Sequence, residues 1–153
     1  MTMEPGIESL LAKYPIVIAV PVFWGDQDAF GHVNNNAYFR WFESVRIVYL
    51  ETIGLQALME SEQVGPILAA ISCQYRSPVT YPDAVHIGAR VTRMGRSSIS
   101  MDHHVYSETQ QSIVAEGDST LVVFDYKVQK SRPIPHEIRR AIEQREGKEF
   151  PTP

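Results

Sequence analysis

The chain has 153 residues, of which 44% are hydrophobic and 21% are charged, a composition typical of one globular domain with its own core. The net charge of −4 argues against a duplex nucleic-acid binder, which needs a broad basic surface. The apolar runs are too short to cross a bilayer and the N-terminal segment is acidic where a signal peptide is basic, so we expect a cytoplasmic protein.

The first half of the chain predicts a strand, a polar loop and a long buried helix. Residues 16–24 are apolar and β-branched, which indicates a strand, while Pro21 favours an edge position or a bend. A polar loop from Gly25 to Asn36 follows. From 37 to 53, aromatic and aliphatic residues recur at three- and four-residue spacing, with asparagines before them and Gly54 after them. This pattern predicts a central amphipathic helix.

The second half of the chain predicts an antiparallel sheet. Strand patterns occur in four runs, at 67–76, 85–94, 99–105 and 114–126. Short polar connections at 95–96 and 109–111 are typical of hairpins, so we expect these strands to form a meander. A single apolar helix is available to cover the sheet, which predicts an α+β architecture with the sheet wrapped around that helix. A short polar helix is expected at 136–145, after Pro135.

The loop before the central helix carries the candidate chemistry. It contains two carboxylates, Asp26 and Asp28, together with His32 and three asparagines. A helix N-terminus has unpaired N–H groups that can stabilise an oxyanion, and a nearby carboxylate can act as base or nucleophile. These parts indicate acyl transfer or hydrolysis. The alternative is that they serve only as turn and cap residues, and Asp26 is expected to be structural.

The segment GDQDAFGHVNNNAYFRWFESVR resembles the signature of the 4-hydroxybenzoyl-CoA thioesterase-like branch of hotdog-fold acyl-CoA thioesterases. The matching positions are Asp26, Asp28, Gly31, His32, Val33, Asn34, Asn35, Tyr38, Glu43 and Arg46. The predicted order of elements extends the similarity over about residues 16–128, and segments 75–79 and 95–98 add weaker similarity. The resemblance implies one hotdog domain over residues 1–153, with a C-terminal helical tail at about 135–147.

The resemblance also implies catalytic roles for four residues of the loop. Asp28 corresponds to the catalytic carboxylate, acting as nucleophile or as general base. The backbone N–H of Asn35 is expected to polarise the thioester carbonyl. Gly31 is expected to let the backbone approach the acyl group closely, and His32 is grouped with these catalytic residues.

Residues expected to contact the substrate are Asn34, Tyr38, Arg93, Arg96, Ser97 and Ser98. Tyr38 would support the acyl pocket, and the arginines, with Arg90 as a further candidate, would pair with phosphates of CoA. The alternative for the arginines is an ordinary solvated hairpin. Because Asn34 and Asn35 replace the aromatic positions of the aryl-CoA enzymes, hydroxybenzoyl-CoA itself is not implied.

The resemblance further implies a site shared across a homodimer or a dimer of dimers, a homotetramer. No metal and no cofactor is expected, because a carboxylate suffices and CoA is part of the substrate. Carrier-protein thioesters remain open as substrates. The alternatives are a non-catalytic acyl-CoA-binding or sensor protein, and an enoyl-CoA hydratase that would use Asp28 together with His32.

Three further expectations concern residues outside the loop. Cys73, the only cysteine, lies in an apolar strand pattern and is expected to be a buried small hydrophobe. Glu43 and Arg46 are expected to pair with each other or to hold the partner subunit. His103 and His104 are adjacent in a strand and should face opposite sides of the sheet, which argues against a metal site.

Overall fold

The computed structural model describes residues 6–151 and 153 and contains one curled antiparallel sheet with a long helix packed against it. The strands are β1 (Ile16–Pro21), β2 (Val64–Tyr75), β3 (Ala84–Met94), β4 (Ser98–Ser107), β5 (Ser112–Asp125) and β6 (Lys130–Ser131). The α-helices are α1 (Ile7–Lys13), α2 (Asn35–Thr52), α3 (Leu55–Glu62) and α4 (His136–Glu146). This arrangement confirms the predicted α+β hotdog class.

The strand order is β1-β3-β4-β5-β2, with β6 paired to the end of β5. The hairpins β3–β4 and β4–β5 confirm the meander for three of the four predicted strands. The prediction was wrong for β2, which pairs with β5 at the far edge, for example Ile67 opposite Val122. The reason is the path of the chain: α2 and α3 carry it across the sheet before β2 begins, and residues 76–83 bring it back to β3.

The core lies between α2 and the sheet. The predicted apolar face of α2 consists of Tyr38, Trp41, Phe42, Val45, Val48 and Tyr49, and all of these are buried except Val48, which is half-buried. The helix also buries three residues outside that predicted face, Ala37, Arg46 and Leu50. Phe42 of α2 lies directly against Gly117 of β5, where an added Cβ would overlap the Phe42 ring and the carbonyl oxygen of Ser72. A larger residue at this position would have to displace the Phe42 ring and the Ser72 carbonyl.

Helices α1 and α3 were not predicted. Helix α1 packs on the outer face of the sheet through Leu10, next to Tyr14 and Tyr106. Strand β1 ends three residues earlier than expected, because a 3-10 turn at Trp24–Asp26 takes the chain away from the sheet. The Asp26 carboxylate accepts the N–H of Phe23 at 2.8 Å and closes this turn, so Asp26 is structural as predicted.

The C-terminal helix is present at α4 and buries Ile138 and Ile142 against the core. None of the helices in residues 6–151 is both long enough and apolar enough to span a membrane.

Candidate active site

The polar loop between β1 and α2 is fixed at both ends to the segment before β3. The N–H of Val22 donates to the carbonyl of Asp83 at 2.9 Å, and the N–H of Val33 donates to the carbonyl of Val79 at 2.8 Å. Inside the loop, the N–H of Asp28 donates to the carbonyl of His32 at 2.7 Å. The loop is therefore a closed structure held by backbone hydrogen bonds.

Asp28 is the carboxylate that this loop presents. Its Oδ1 accepts the N–H of Phe30 at 2.8 Å and the N–H of His32 at 3.3 Å, which fixes the side chain. Its Oδ2 accepts no hydrogen bond from the described residues, and the side chain is exposed on the loop surface. One oxygen is thus held while the other is available for chemistry.

Gly31 makes the tight return between Asp28 and His32 possible. Its φ of +80° lies in the left-handed region that glycine adopts at low cost, and its N–H donates to the carbonyl of Asp28 at 3.1 Å. Open space surrounds the position where a Cβ would stand. Backbone conformation, not crowding, therefore requires glycine in this chain.

The start of α2 leaves one amide unpaired beside the loop. The Oδ1 of Asn34 caps the helix by accepting the N–H of Asn36 at 3.0 Å, and the carbonyl of Asn34 accepts the N–H of Ala37. Within the described residues, the N–H of Asn35 donates to no acceptor. Asn35 is the first residue of α2, where the helix dipole is positive.

Asp28 and Asn35 line the same cavity, which has a volume of about 270 Å³. Its lining residues are Asp28, His32, Val33, Asn35, Tyr38, Tyr75, Arg76, Ser77 and Pro78. Four of the predicted site residues therefore converge here, namely Asp28, His32, Asn35 and Tyr38. Gly31 and Asn34 flank the cavity in sequence but do not line it.

Two tyrosines form one wall of the cavity. The rings of Tyr38 and Tyr75 meet edge to face with centroids 4.9 Å apart. Burial raises the pKa of Tyr38 to about 12, and burial followed by the neighbouring Cys73 raises the pKa of Tyr75 to about 12. Both phenols are therefore neutral near pH 7, so the wall adds aromatic surface and no charge.

Residues 75–78 belong to the cavity although no role was predicted for them. The guanidinium of Arg76 pairs with Glu116 at 2.7 Å, so a carboxylate balances its charge. The hydroxyl of Ser77 donates to Gln110 at 2.6 Å. The sequence shows a weaker similarity to the family at residues 75–79, but this similarity did not indicate that these residues line the cavity.

The predicted CoA contacts lie at the other end of the sheet. Arg93 is the second-last residue of β3, and Arg96 and Ser97 belong to the connection to Ser98 at the start of β4. Ser98 pairs with Val122 of β5, which in turn pairs with Ile67 of β2, so the hairpin is level with Ile67. Ile67 lies eight residues before Tyr75, which lines the cavity. At about 3.3 Å per residue this separation is roughly 25 Å along the strand, so one chain does not bring the hairpin to Asp28.

A second cavity, of about 450 Å³, lies beside this hairpin. It is lined by Thr92, Arg93, Met94, Gly95, Phe150, Pro151 and Pro153. Arg93 and Arg96 are exposed, and neither forms a salt bridge within the described residues.

Two expectations about other polar groups are corrected. Arg46 is only 6% exposed and forms no ion pair with Glu43 within the described residues, because it lies on the buried face of α2 while Glu43 is exposed. The alternative expectation, that these residues hold a partner subunit, stays a prediction. Burial lowers the pKa of Arg46. Cys73 is half-buried instead of buried, because β2 is an edge strand, and burial raises the pKa of its thiol to about 11.

The two adjacent histidines face opposite sides of β4, as predicted. His103 is buried against Phe42, whereas His104 is half-exposed near Glu116. In the part of the chain that the structure describes, no group of three or more His, Cys, Asp or Glu side chains is arranged to hold a metal ion.

Residues 22–142 match the family model of the thioesterase-like superfamily. The long-chain acyl-CoA thioesterase FadM of Escherichia coli (strain K12) is 26% identical over 117 residues, 76% of this chain and 89% of FadM. The chloroplastic acyl-acyl carrier protein thioesterase ATL3 of Arabidopsis thaliana is 30% identical over 114 residues, 73% of this chain and 59% of ATL3.

A solved structure extends the similarity to the fold. The thioesterase of Thermus thermophilus, crystallised with coenzyme A and Zn, is 30% identical and superposes with a TM-score of 0.79 over 90% of this chain and 98% of that chain. The match of the family model covers most of the chain and includes both the loop and α2. The chain therefore belongs to the thioesterase-like superfamily, which confirms the resemblance to hotdog-fold acyl-CoA thioesterases and makes it a thioester hydrolase.

Proposed function

We propose that the protein hydrolyses acyl-CoA thioesters to the free acid and CoA, with Asp28 as the reacting carboxylate. One observation carries this proposal: the available oxygen of Asp28 and the unpaired N–H of Asn35 border the same cavity. Family membership favours hydrolysis over the binder and hydratase alternatives. The names of FadM and of the Thermus structure support CoA as the thiol component.

In the proposed reaction the thioester carbonyl accepts the N–H of Asn35 at the positive end of α2. This contact strengthens as the carbonyl oxygen becomes an oxyanion. Asp28 either attacks the carbonyl carbon to form a mixed anhydride, which water then hydrolyses, or removes a proton from the attacking water. In both versions the C–S bond breaks with the electron pair on sulfur, so CoA leaves as a thiolate. Neither version uses a metal or a cofactor.

The remaining residues around Asp28 would orient and shape the site. The backbone N–H groups of Phe30 and His32 hold one carboxylate oxygen, which leaves the other directed to the reaction. Gly31 permits the turn that makes these two contacts possible. Tyr38 and Tyr75 would form the aromatic wall along which the acyl group enters.

We also propose that the working unit is a homodimer joined through strand β2. This strand is 12 residues long and carries no charged residue, and within residues 6–151 it pairs with another strand on one side only. Exposed apolar side chains on it include Ile67 and Leu68. A long, uncharged, apolar edge strand is a site for pairing with another chain. A dimer of dimers stays a further prediction.

Such a dimer would also explain the distance between the hairpin and Asp28. A twofold axis near the middle of the exposed run, between Ala70 and Ile71, pairs Ile67 of one chain with Gln74 of the other. The hairpin at residues 95–98 is level with Ile67, so it would come to the Asp28 end of the second chain. Arg93 and Arg96 could then meet the phosphates of CoA while Asp28 of the other chain meets the thioester.

The test is thiol release from acetyl-, octanoyl-, palmitoyl- and benzoyl-CoA by wild type and Asp28→Asn. Asparagine keeps the oxygen that accepts the Phe30 and His32 N–H groups but loses the charge, so kcat/KM should fall by at least about 100-fold. The matched control is Asp26→Asn, in the same loop, which should stay within about threefold because an amide oxygen can still close the 3-10 turn. Equal activity of Asp28→Asn and wild type would remove Asp28 from the mechanism.

Two further measurements refine the proposal. Single-turnover hydrolysis in 18O-labelled water distinguishes direct attack of water from an anhydride that water opens at the Asp28 carbon. Direct attack puts the label into the product acid, whereas opening at Asp28 puts the label into Asp28 and gives the product an unlabelled Asp28 oxygen. Comparing each acyl-CoA with the same acyl group on a carrier protein tests the second substrate class, which the ATL3 relative suggests. The cytoplasmic location stays a prediction that fractionation of cells can test.

A further inference from the structure

All four backbone carbonyls of the hairpin at residues 95–98 accept hydrogen bonds from other residues of the chain. The carbonyl of Gly95 accepts a guanidinium N–H of Arg139 at 2.8 Å, and that of Arg96 accepts the N–H of Ile134 at 2.8 Å. The carbonyls of Ser97 and Ser98 accept the N–H groups of Val123 and Gly95, at 2.8 and 2.9 Å. By contrast, the N–H groups of Arg96 and Ser97 donate to no acceptor among the described residues. The hairpin therefore leaves the N–H groups of Arg96 and Ser97 available, while its four backbone carbonyls are satisfied.

Two of these four contacts come from the C-terminal part of the chain. Ile134 lies just before α4, and Arg139 lies within it. The hydrogen bond to Gly95 is the only one that the Arg139 guanidinium makes within the described residues, and its Nη1 is buried without an acceptor. In the described part of the chain, the guanidinium of Arg139 therefore bonds to the hairpin alone.

Helix α4 is itself anchored to the element that begins at the active site. Glu146 accepts the hydroxyl of Tyr49, on α2, at 2.5 Å and the N–H of Val91, on β3, at 3.0 Å. Val91 stands at the irregularity in the β3–β4 pairing, so Glu146 satisfies an amide at the point where the ladder shifts. Helix α4 therefore connects α2, β3 and the hairpin in one bonded unit.

We propose that Arg139 is a positioning residue for recognition of the nucleotide end of the substrate: it holds the 95–98 hairpin so that the N–H groups of Arg96 and Ser97 and the side chain of Arg96 face the phosphates. This inference rests on the proposed function. It adds that α4, outside the loop that carries the reacting groups, determines how well the thiol component is recognised. Arg139 does not touch the substrate and acts only through Gly95.

The experiment compares two thioesters of one acid: the acyl-CoA that wild type hydrolyses fastest, and its pantetheine thioester, which lacks the nucleotide. Arg139→Gln removes the charged donor and should raise KM for the acyl-CoA by about tenfold, since loss of one charge-assisted hydrogen bond is of that order. The kcat for acyl-CoA and both constants for the pantetheine thioester should stay within about twofold. Arg139→Lys, which keeps a charged donor, should recover part of the loss.

The matched control is Arg140→Gln, one position further on α4, because Arg140 is exposed and makes no hydrogen bond or salt bridge within the described residues. It should behave as wild type. Equal losses on both thioesters in Arg139→Gln would mean a purely structural role, and unchanged KM would mean no role; either result overturns the inference.

The design separates this inference from the proposed function. A wild-type protein that hydrolyses neither thioester contradicts the proposed function itself. A wild-type protein that hydrolyses both with the same KM keeps the proposed function and overturns only the inference. If Arg139→Gln does not fold, amide hydrogen exchange of residues 95–98 in Arg139→Lys decides: faster exchange with a raised KM supports the inference, and unchanged exchange and KM overturn it.

Discussion

At the scale of single residues, some polar groups in the first turn of α2 stabilise the helix and one is left for the proposed reaction. The side chain of Asn34 is occupied by the N–H of Asn36, and its carbonyl by the N–H of Ala37. This leaves the amide of Asn35 for a ligand. The predicted substrate contact of Asn34 stays a prediction, but its side-chain oxygen caps the helix, so loss of this side chain should lower stability.

We therefore predict that Asn34→Ala lowers the free energy of unfolding by about 1 kcal/mol, the usual cost of losing an N-terminal cap. Asn34→Asp should keep the stability, because a carboxylate also accepts the Asn36 N–H and interacts favourably with the helix dipole. Urea unfolding at pH 7 measures both. The assignment of Asn34 as a cap fails if the alanine variant is as stable as wild type.

The sequence predicted the near half of the candidate site and not the far half. The near half lies within eleven consecutive residues and comprises Asp28, His32, Asn35 and Tyr38. Local spacing and the family signature were therefore enough to predict that these residues lie close together. Residues 75–78 reach the same cavity only through the pairing of β2 with β5. Register over such a sequence distance depends on packing, which no local pattern encodes.

At the scale of elements, His103 joins the sheet to α2 as a buried neutral side chain. It is stacked on Phe42 with ring centroids 4.9 Å apart, and its ring nitrogens contact Ser119 at 2.6 Å and the carbonyl of Gly88 at 3.1 Å. Burial, as the largest cause, lowers the pKa of His103 to about 4. Strand β4, α2 and β5 therefore meet at a group that resists protonation.

This burial predicts a specific dependence of stability on pH. Since the pKa of His103 is lower in the folded than in the unfolded chain, the unfolded chain binds the proton more readily, and stability falls as pH drops below about 6.5. Between pH 8 and pH 5 the His103 contribution should fall by about 2 kcal/mol. The side chain of His103→Asn does not titrate, so the free energy of unfolding of this variant should fall by about 2 kcal/mol less than that of wild type over the same pH range. Urea unfolding at both pH values measures the difference. Parallel pH profiles of the two proteins would contradict this account.

The predicted elements were more reliable than their pairing. The periodicity of α2 and the alternation of β3, β4 and β5 come from burying one face, and this signal is local. The predicted pairing of β2 was wrong because a β-branched apolar run identifies a strand but does not identify the strand next to it. Arg46 was misjudged for a related reason: its spacing from Glu43 suits an ion pair, but the helix turns Arg46 toward the protein interior.

At the scale of the whole molecule, two features of the described chain leave polar groups without hydrogen-bond partners. The guanidinium of Arg46 is 6% exposed, and its Nη1 is buried with no acceptor among residues 6–151 and 153. Strand β2 leaves one side of its backbone unpaired and exposes Ile67, Leu68 and Tyr75. A charged residue inside the strand would discourage pairing with another copy, and none is present from 64 to 75.

We therefore predict that Ala70→Lys converts the protein to a monomer. Ala70 is exposed near the middle of β2, so a twofold pairing would bring the lysine close to its own copy and add like-charge repulsion at a desolvated edge. Light scattering measures the mass, and thiol release from acyl-CoA should fall with it, because the hairpin at 95–98 would no longer reach Asp28 of the second chain. Gln56→Lys, an exposed substitution on α3, is the matched control and should leave both mass and activity unchanged. A fully active Ala70→Lys monomer would mean that one chain holds the complete site and that the edge of β2 has no part in it.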